Sequence, residues 1–211
     1  MTKRCSCTRP TSTRTSGMKR KAGNSSAHDP DSPTERRREM KERLNALEVA
    51  LNNELQEHRF YLEHARKTDN PVGRAMFEQI AAEEMEHYAR LRELHGKWLK
   101  EEKWPETVPL KVRNTVVKDV LAKMIREAGQ GPAGDKGDLE ALETAIEFEA
   151  NGALYYARLR DQVADSHEKA FFNLLADIEH EHFVSLKDTM EYLTDPVGWF
   201  RIREKGGLDG G

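Results

Sequence analysis

Two short segments of the chain carry side chains that could bind metal ions. Glu84 and His87 lie three residues apart, and Glu179 and His182 repeat this spacing 95 positions later. Residues at positions i and i+3 share one face of an α-helix, so each pair could hold one ion from a single turn. Carboxylate and imidazole ligands suit iron, manganese and zinc, and the order of metal affinities alone does not choose among them.

A single Glu-x-x-His pair is weak evidence, because about one match is expected by chance in a chain of this composition. The signal is stronger here because the surroundings also repeat. Each pair follows by 30 residues another glutamate, Glu54 or Glu149, and each of these precedes a tyrosine by seven positions, Tyr61 or Tyr156. Apolar residues align at the same offset, including Ala75 with Ala170, Phe77 with Phe172 and Ala81 with Ala176. The sequence therefore predicts two copies of one helical hairpin.

The predicted metal site has six ligands: Glu54, Glu84, His87, Glu149, Glu179 and His182. Four carboxylates inside a bundle would suffer desolvation and mutual repulsion, and two divalent ions would neutralise them. We expect each ion to take one terminal glutamate and one histidine, with Glu84 and Glu179 bridging. Tyr61 and Tyr156 are predicted to orient ligand carboxylates of the opposite hairpin. The alternative for both tyrosines is an ordinary place in the core.

Composition limits the possible functions. Of the 211 residues 34% are charged, which favours long helices with polar outer faces, and the net charge of −3 argues against a general nucleic-acid binder. No apolar run has the length that a bilayer span requires, so we expect no membrane association. The two cysteines, Cys5 and Cys7, lie too close together for an ordinary disulfide framework. Their small number fits a reducing compartment, and we expect a cytoplasmic protein.

Four long helices and one short helix are predicted. Ser32 and Pro33 form a start signal for the first helix, and Asp69-Asn-Pro71 separates it from a second helix over residues 71–102. Residues 105–137 are too long for a tight turn and contain a short amphipathic helix, Val117–Ala128. The third helix is predicted over 138–164. The fourth starts after Asp165 or Ser166 and ends near residue 193. This pattern indicates an all-α four-helix bundle with a long crossover between helices 2 and 3.

At these residues the chain resembles the ferritin-like di-iron carboxylate superfamily and most closely the rubrerythrin family. The resemblance covers roughly residues 40–193. It implies a ferritin-like bundle in which the six residues named above hold two iron ions, with manganese or zinc as alternatives. The C-terminal segment, from Asp195–Phe200 to Gly206–Gly210, also resembles the ending of single-domain rubrerythrin-like proteins.

The resemblance has two departures. Classical rubrerythrins add a rubredoxin domain with two Cys-x-x-Cys pairs, which this chain lacks, so electrons would come from an external donor such as a rubredoxin-like protein. Rubrerythrins that reduce peroxide usually carry an extra glutamate three residues beyond the ligand on helix 3. Gly152 takes that position here, whereas Glu57 takes the mirror-related position on helix 1. Glu57 could substitute for the missing carboxylate, or it could be an exposed helix glutamate.

Three regions are expected. Residues 1–32 are basic and rich in serine, which predicts a disordered tail, with a transit peptide or an overextended start before Met18 or Met40 as alternatives. Residues 33–194 form the ferritin-like di-iron bundle, and residues 195–211 form a C-terminal tail. In that tail, Trp199 and Phe200 could cover the bundle or join subunits.

The function expected from these features is that of a non-haem di-iron oxidoreductase, of peroxidase type and linked to oxidative stress. Its substrate would be hydrogen peroxide or dioxygen, and the protein is expected to be a homodimer. The main alternative is a ferroxidase or iron-storage protein, as in bacterioferritins. Met85 of this chain would match, by position, the haem-binding methionine of those proteins. A di-iron hydroxylase, a manganese catalase and a purely structural bundle remain open.

Overall fold

The computed structural model describes residues 32–101 and 115–206, which form six α-helices. The helices are α1 (Pro33–Lys67), α2 (Pro71–Glu101), α3 (Val117–Ala128), α4 (Lys136–Gln162), α5 (Ser166–Thr194) and α6 (Pro196–Gly206). The described residues contain no strand, which confirms the all-α prediction. None of these helices is both long enough and apolar enough to cross a membrane. Cys5, Cys7 and almost all of the predicted tail over residues 1–32 lie outside the described residues.

Local capping signals determine where the helices begin. The Ser32 side chain accepts a hydrogen bond at the start of α1, and Pro33 is the first helical residue, as predicted. Helix α4 begins two residues before the predicted position 138 because Asp135 and Asp138 form a reciprocal capping box. Asp165 accepts two backbone hydrogen bonds at the start of α5, so it is the cap of that helix.

The two sequence repeats form two helical hairpins. Helix α1 packs mainly against α2, and α4 packs mainly against α5. The short helix α3 lies in the crossover between the hairpins and contacts both α2 and α5. The ferritin-like four-helix bundle with its long crossover is therefore confirmed, and it brings the apolar stripes of four helices together.

The core consists of two apolar clusters, one on each side of a polar layer. The first cluster includes Leu91, Trp98, Phe171 and Phe172, and the second includes Phe77, Ile80, Leu142 and Leu186. Along α2, Glu84 and His87 lie between Ala81 of the second cluster and Leu91 of the first. The predicted ligands are thus held between two apolar layers, which limits the access of water to them.

The segment that was predicted as a C-terminal tail includes helix α6. Trp199 and Phe200 of this helix make edge-on ring contacts with Tyr192 of α5, with centroid distances of 5.8 and 6.4 Å. The Tyr192 hydroxyl donates a hydrogen bond to the Gly129 carbonyl oxygen in the crossover. These contacts join α5, α6 and the crossover at one end of the bundle.

Candidate metal centre

All six predicted ligand side chains meet in the middle of the bundle. Glu54 comes from α1, Glu84 and His87 from α2, Glu149 from α4, and Glu179 and His182 from α5. Each is at most 1% exposed. Four of these side chains are carboxylates, so the bundle has a strongly acidic interior.

The six residues form two overlapping groups whose potential ligand atoms lie within 4.8 Å of one another. One group contains Glu54 and His87, the other contains Glu149 and His182, and both include Glu84 and Glu179. The two shared residues, Glu84 and Glu179, are those that the sequence analysis predicts to bridge two ions. The geometry fits a metal pair, although the roles of individual residues as ligands stay predictions.

Each histidine presents its Nδ1 atom to the carboxylates. Nδ1 of His87 lies 2.9 Å from Glu84 Oε2, 3.1 Å from Glu54 Oε2 and 3.5 Å from Glu179 Oε1. Nδ1 of His182 lies 3.1 Å from Glu84 Oε1 and 3.4 Å from Glu149 Oε2. The imidazole rings are nearly parallel, with centroids 5.9 Å apart. The carboxylate of Glu84 therefore has one oxygen beside each histidine.

The two predicted tyrosines contact the terminal glutamates across the bundle. The Tyr61 hydroxyl on α1 donates a hydrogen bond to Glu149 on α4, and the Tyr156 hydroxyl on α4 donates one to Glu54 on α1. Both side chains are buried, and burial next to carboxylates raises the pKa of each hydroxyl well above its ordinary value. Each tyrosine therefore remains a hydrogen-bond donor to one carboxylate oxygen, and its role in orienting a metal ligand stays a prediction.

Several polar atoms of the cluster lack a hydrogen-bond partner of good geometry among the described residues. These atoms include both carboxylate oxygens of Glu179, Oε1 of Glu84, Oε2 of Glu149 and Nδ1 of His182. Nδ1 of His182 is close to Glu84 and Glu149, but the angles do not suit a hydrogen bond. A buried polar atom without a partner is costly, and a cation would satisfy oxygen and nitrogen atoms of this kind. The donor set therefore fits two divalent ions.

The electrostatics of the cluster support the same conclusion. Burial and the nearby charge of Glu84 raise the pKa of Glu54 to about 8. Burial, together with the charges of Glu84 and Glu149, raises the pKa of Glu179 well above its ordinary value. Burial by itself would lower the pKa of His87, but the carboxylates of Glu84, Glu179 and Glu54 together outweigh this effect and raise it well above its ordinary value. Without a cation the cluster thus holds protons, and metal binding would displace them.

Glu83 is a partner of the cluster that the sequence analysis missed. Its Oε2 atom lies 2.7 Å from Nε2 of His182, the ring nitrogen on the side away from the other carboxylates. Its Oε1 atom accepts a hydrogen bond from the backbone N–H of Val116 at 3.1 Å. Burial would raise the pKa of Glu83, but the bonded His182 lowers it to about 2. A carboxylate in this position fixes the ring orientation of a ligating histidine.

Repeat symmetry could not have revealed Glu83, because the residue 95 positions later is Ile178. The only signal in the sequence was this mismatch, a glutamate in one copy where the other has a buried apolar residue.

Glu57 and Gly152 face the cluster from α1 and α4. Glu57 is partly buried rather than exposed, and burial together with the charge of Glu84 raises its pKa well above the ordinary value. Among the described residues, neither group of candidate ligands includes Glu57. A Cβ atom added to Gly152 would lie 3.3 Å from Oε2 of Glu179, so the glycine lets this carboxylate approach α4 closely. The proposal that Glu57 acts as an additional carboxylate stays a prediction.

The fold and the site together define a ferritin-like carboxylate protein with a candidate site for a pair of metal ions. Comparison with family models gives a match to rubrerythrin over residues 45–128, which contain α2, α3 and most of α1. The resemblance to the rubrerythrin family is thereby confirmed over the first hairpin and the crossover helix. Searches of curated proteins and of solved structures gave no match. The second hairpin is the second copy of the internal repeat, and it contributes Glu149, Glu179 and His182 to the site.

Proposed function

We propose that the protein is a non-haem di-iron oxidoreductase that reduces hydrogen peroxide or dioxygen with electrons from an external donor. The observation that carries this proposal is the pair of buried ligand groups that share Glu84 and Glu179. The rubrerythrin match over residues 45–128 supports iron as the metal. Two bound ferrous ions would supply the two electrons that one O–O bond takes up when it is cleaved.

The residues around the centre have roles that follow from their contacts. Tyr61 and Tyr156 hold the outer carboxylates Glu149 and Glu54, while neither carboxylate oxygen of Glu179 has a hydrogen-bond partner of good geometry among the described residues. Around bound metal ions, Glu54 and Glu149 would thus be held in place, whereas the carboxylate of Glu179 would be less restrained. The apolar layers on both sides exclude bulk water, which strengthens electrostatic interactions in the site.

We include an external electron donor in the proposal because the 211 residues of the sequence contain two cysteines, Cys5 and Cys7. An iron site of the rubredoxin type needs four. A small reduced redox protein of the rubredoxin class would supply one electron at a time.

The proposal can be tested by loading the protein with two equivalents of ferrous ion without oxygen and mixing it with stoichiometric hydrogen peroxide in a stopped-flow instrument. We expect oxidation much faster than that of free ferrous ion and an absorption spectrum of an oxo-bridged di-iron centre. Oxidation at the rate of free iron would rule the proposal out. If dioxygen reacts much faster than peroxide and iron accumulates beyond two ions per chain, the ferroxidase alternative is favoured.

A matched pair of variants assigns the activity to the site. Glu179→Gln changes a buried carboxylate of both ligand groups, whereas Glu181→Gln changes an exposed carboxylate two residues later on the same helix. We expect the first variant to lose tight binding of the second ion and rapid peroxide reduction. The second variant should retain both. Equal activity in the two variants would show that the cluster is not the reaction site.

A further inference from the structure

A groove of about 560 Å³ lies between α1 and α4 beside the candidate metal centre. Its walls contain four pairs of residues related by the 95-residue repeat: Asn53 with Phe148, Gln56 with Asn151, Glu57 with Gly152, and Phe60 with Tyr155. The groove therefore lies where the two repeats face each other, with Glu57 on the side of one repeat and Gly152 in the equivalent place of the other.

Gly152, in the lining of the groove, lies next to the candidate ligand Glu179. Gly152 lines the groove, and the place where its Cβ would be lies 3.3 Å from Oε2 and 3.5 Å from Cδ of Glu179. Any larger residue at this position would stand between the groove and that carboxylate. Neither oxygen of Glu179 has a hydrogen-bond partner of good geometry among the described residues. A molecule in the groove could thus approach the centre next to Gly152.

The lining of the groove suits an uncharged molecule with an apolar part. Phe60 and Phe148 meet edge to face at 5.0 Å, and the hydroxyl of Tyr155 is bonded to the Ala46 carbonyl oxygen, so that its ring remains as apolar surface. Leu154 lies at the groove and is 56% exposed. The lining also contains the side-chain amides of Asn53, Gln56 and Asn151. The lining has one acidic and one basic residue, Glu57 and Arg158, so it lacks the cluster of like charges that a site for an ion would use.

The size of the groove favours an organic hydroperoxide over hydrogen peroxide. Hydrogen peroxide needs about the space of two water molecules, roughly 60 Å³. The groove is several times larger and falls in the range of sites for small organic ligands. Hydrogen peroxide would leave most of the aromatic surface in contact with water, whereas an organic group would cover it.

We propose that this groove binds a small uncharged organic hydroperoxide, with its carbon group against Phe60, Phe148 and Tyr155 and its peroxy group toward Glu179. This inference rests on the proposed function, because it names the substrate class of the same centre. The reaction breaks the O–O bond of ROOH and yields ROH and H₂O. It consumes two electrons, which come from two molecules of the reduced one-electron donor protein, and two protons, which come from the solvent.

Binding can be tested without iron chemistry. The probe is cumyl alcohol, the product of cumene hydroperoxide reduction, added to zinc-loaded protein and followed by ligand-observed NMR and calorimetry. We expect saturable binding by the wild-type protein that Gln56→Trp weakens by about tenfold or more, equivalent to about 1.4 kcal/mol. Gln56 is exposed and lines the groove, so the new ring would fill the groove without disturbing the core. Arg59→Trp, at an exposed site of α1 outside the groove lining, should bind the probe like the wild type.

A second measurement uses the iron-loaded protein with cumene hydroperoxide and with hydrogen peroxide. We expect Gln56→Trp to lower the ratio of the two rates, cumene hydroperoxide over hydrogen peroxide, by about tenfold. The groove proposal is overturned if cumyl alcohol shows no saturable binding, even if hydrogen peroxide is reduced rapidly. It is also overturned if Gln56→Trp lowers the rates with both peroxides equally. If neither peroxide oxidises bound iron faster than free iron, the proposed function fails, and the hydroperoxide assignment fails with it. If cumyl alcohol binds the Gln56→Trp variant as tightly as the wild-type protein, the groove is not its binding site, and only the groove proposal fails.

Discussion

The contact between Glu83 and His182 makes the two halves of the centre unequal at the scale of single residues. His182 has a carboxylate on Nε2 in addition to those around Nδ1, while the repeat equivalent of Glu83 is the apolar Ile178. A carboxylate bonded to a ligating imidazole raises the basicity of the ring and fixes its orientation. The half-site of His182 should therefore hold a metal ion differently from that of His87.

This asymmetry predicts the effect of Glu83→Gln. The amide is about the same size but is a weaker hydrogen-bond acceptor, so one of the two bound ions should lose about 10- to 100-fold in affinity. Titration with Co²⁺ would show this, because its visible absorption reports each half-site separately. Glu78→Gln changes an exposed glutamate of the same helix and is the control. Equal weakening of both ions, or none, would contradict a specific role for Glu83.

At the scale of helices, Gly152 on α4 and Gly96 on α2 occupy comparable helix-interior positions with different surroundings. A Cβ atom at Gly96 would meet no atom within 4 Å, whereas at Gly152 it would press against the carboxylate of Glu179. A glycine inside a helix ordinarily destabilises it by about 0.5–1 kcal/mol relative to alanine. At Gly152 this cost is offset by the space that the glycine leaves for a candidate ligand.

Alanine substitution at the two glycines should separate stability from metal binding. We expect Gly96→Ala to raise the free energy of unfolding by about 0.5–1 kcal/mol and to leave metal affinity unchanged. Gly152→Ala should give a smaller gain in the metal-free protein and a clear loss of metal affinity, since Glu179 must move. Urea unfolding and zinc titration of both variants would measure these effects. The interpretation of Gly152 would be wrong if its variant bound zinc as tightly as Gly96→Ala.

At the scale of the whole molecule, the buried cluster links folding, protons and metal. The pKa of Glu54 rises from 4.5 to about 8 on folding. The metal-free folded protein therefore binds more protons than the unfolded chain between these pH values, and its stability falls as the pH rises through them. The raised pKa values of His87 and His182 act in the same direction above their ordinary value of 6.5.

We therefore expect the free energy of unfolding of the metal-free protein to fall from pH 6 to pH 8, with a contribution of about 2 kcal/mol from Glu54 alone. Urea unfolding at several pH values would measure this slope, and Glu54→Gln should flatten it. Zinc should reverse the trend, because cations compete with protons for the same atoms. Release of protons on zinc binding at pH 7, followed with a dye in weak buffer, gives a second measurement. A metal-free protein that is equally stable at both pH values and releases no protons would contradict the linkage.

The helical elements and the six candidate ligands could be predicted because they depend on short-range rules. Spacing along one helix decides which side chains share a face, and capping residues such as Ser32 and Asp165 mark where helices begin. The repeat then related Glu54 to Glu149 and showed that four helices contribute. All of this information lies within single helices or in the comparison of two similar segments.

Only the tertiary structure decided how residues of different helices meet. The bond from Glu83 to His182, the partial burial of Glu57 and the groove above Gly152 depend on the rotation of each helix about its axis and on the distance between neighbouring helices. Packing of the two apolar clusters and the crossover sets these quantities, and no local spacing encodes them. The sequence by itself thus determined that two carboxylate and histidine stripes exist and are related. The packed bundle decided that they form one buried centre with unequal halves and an opening on one side.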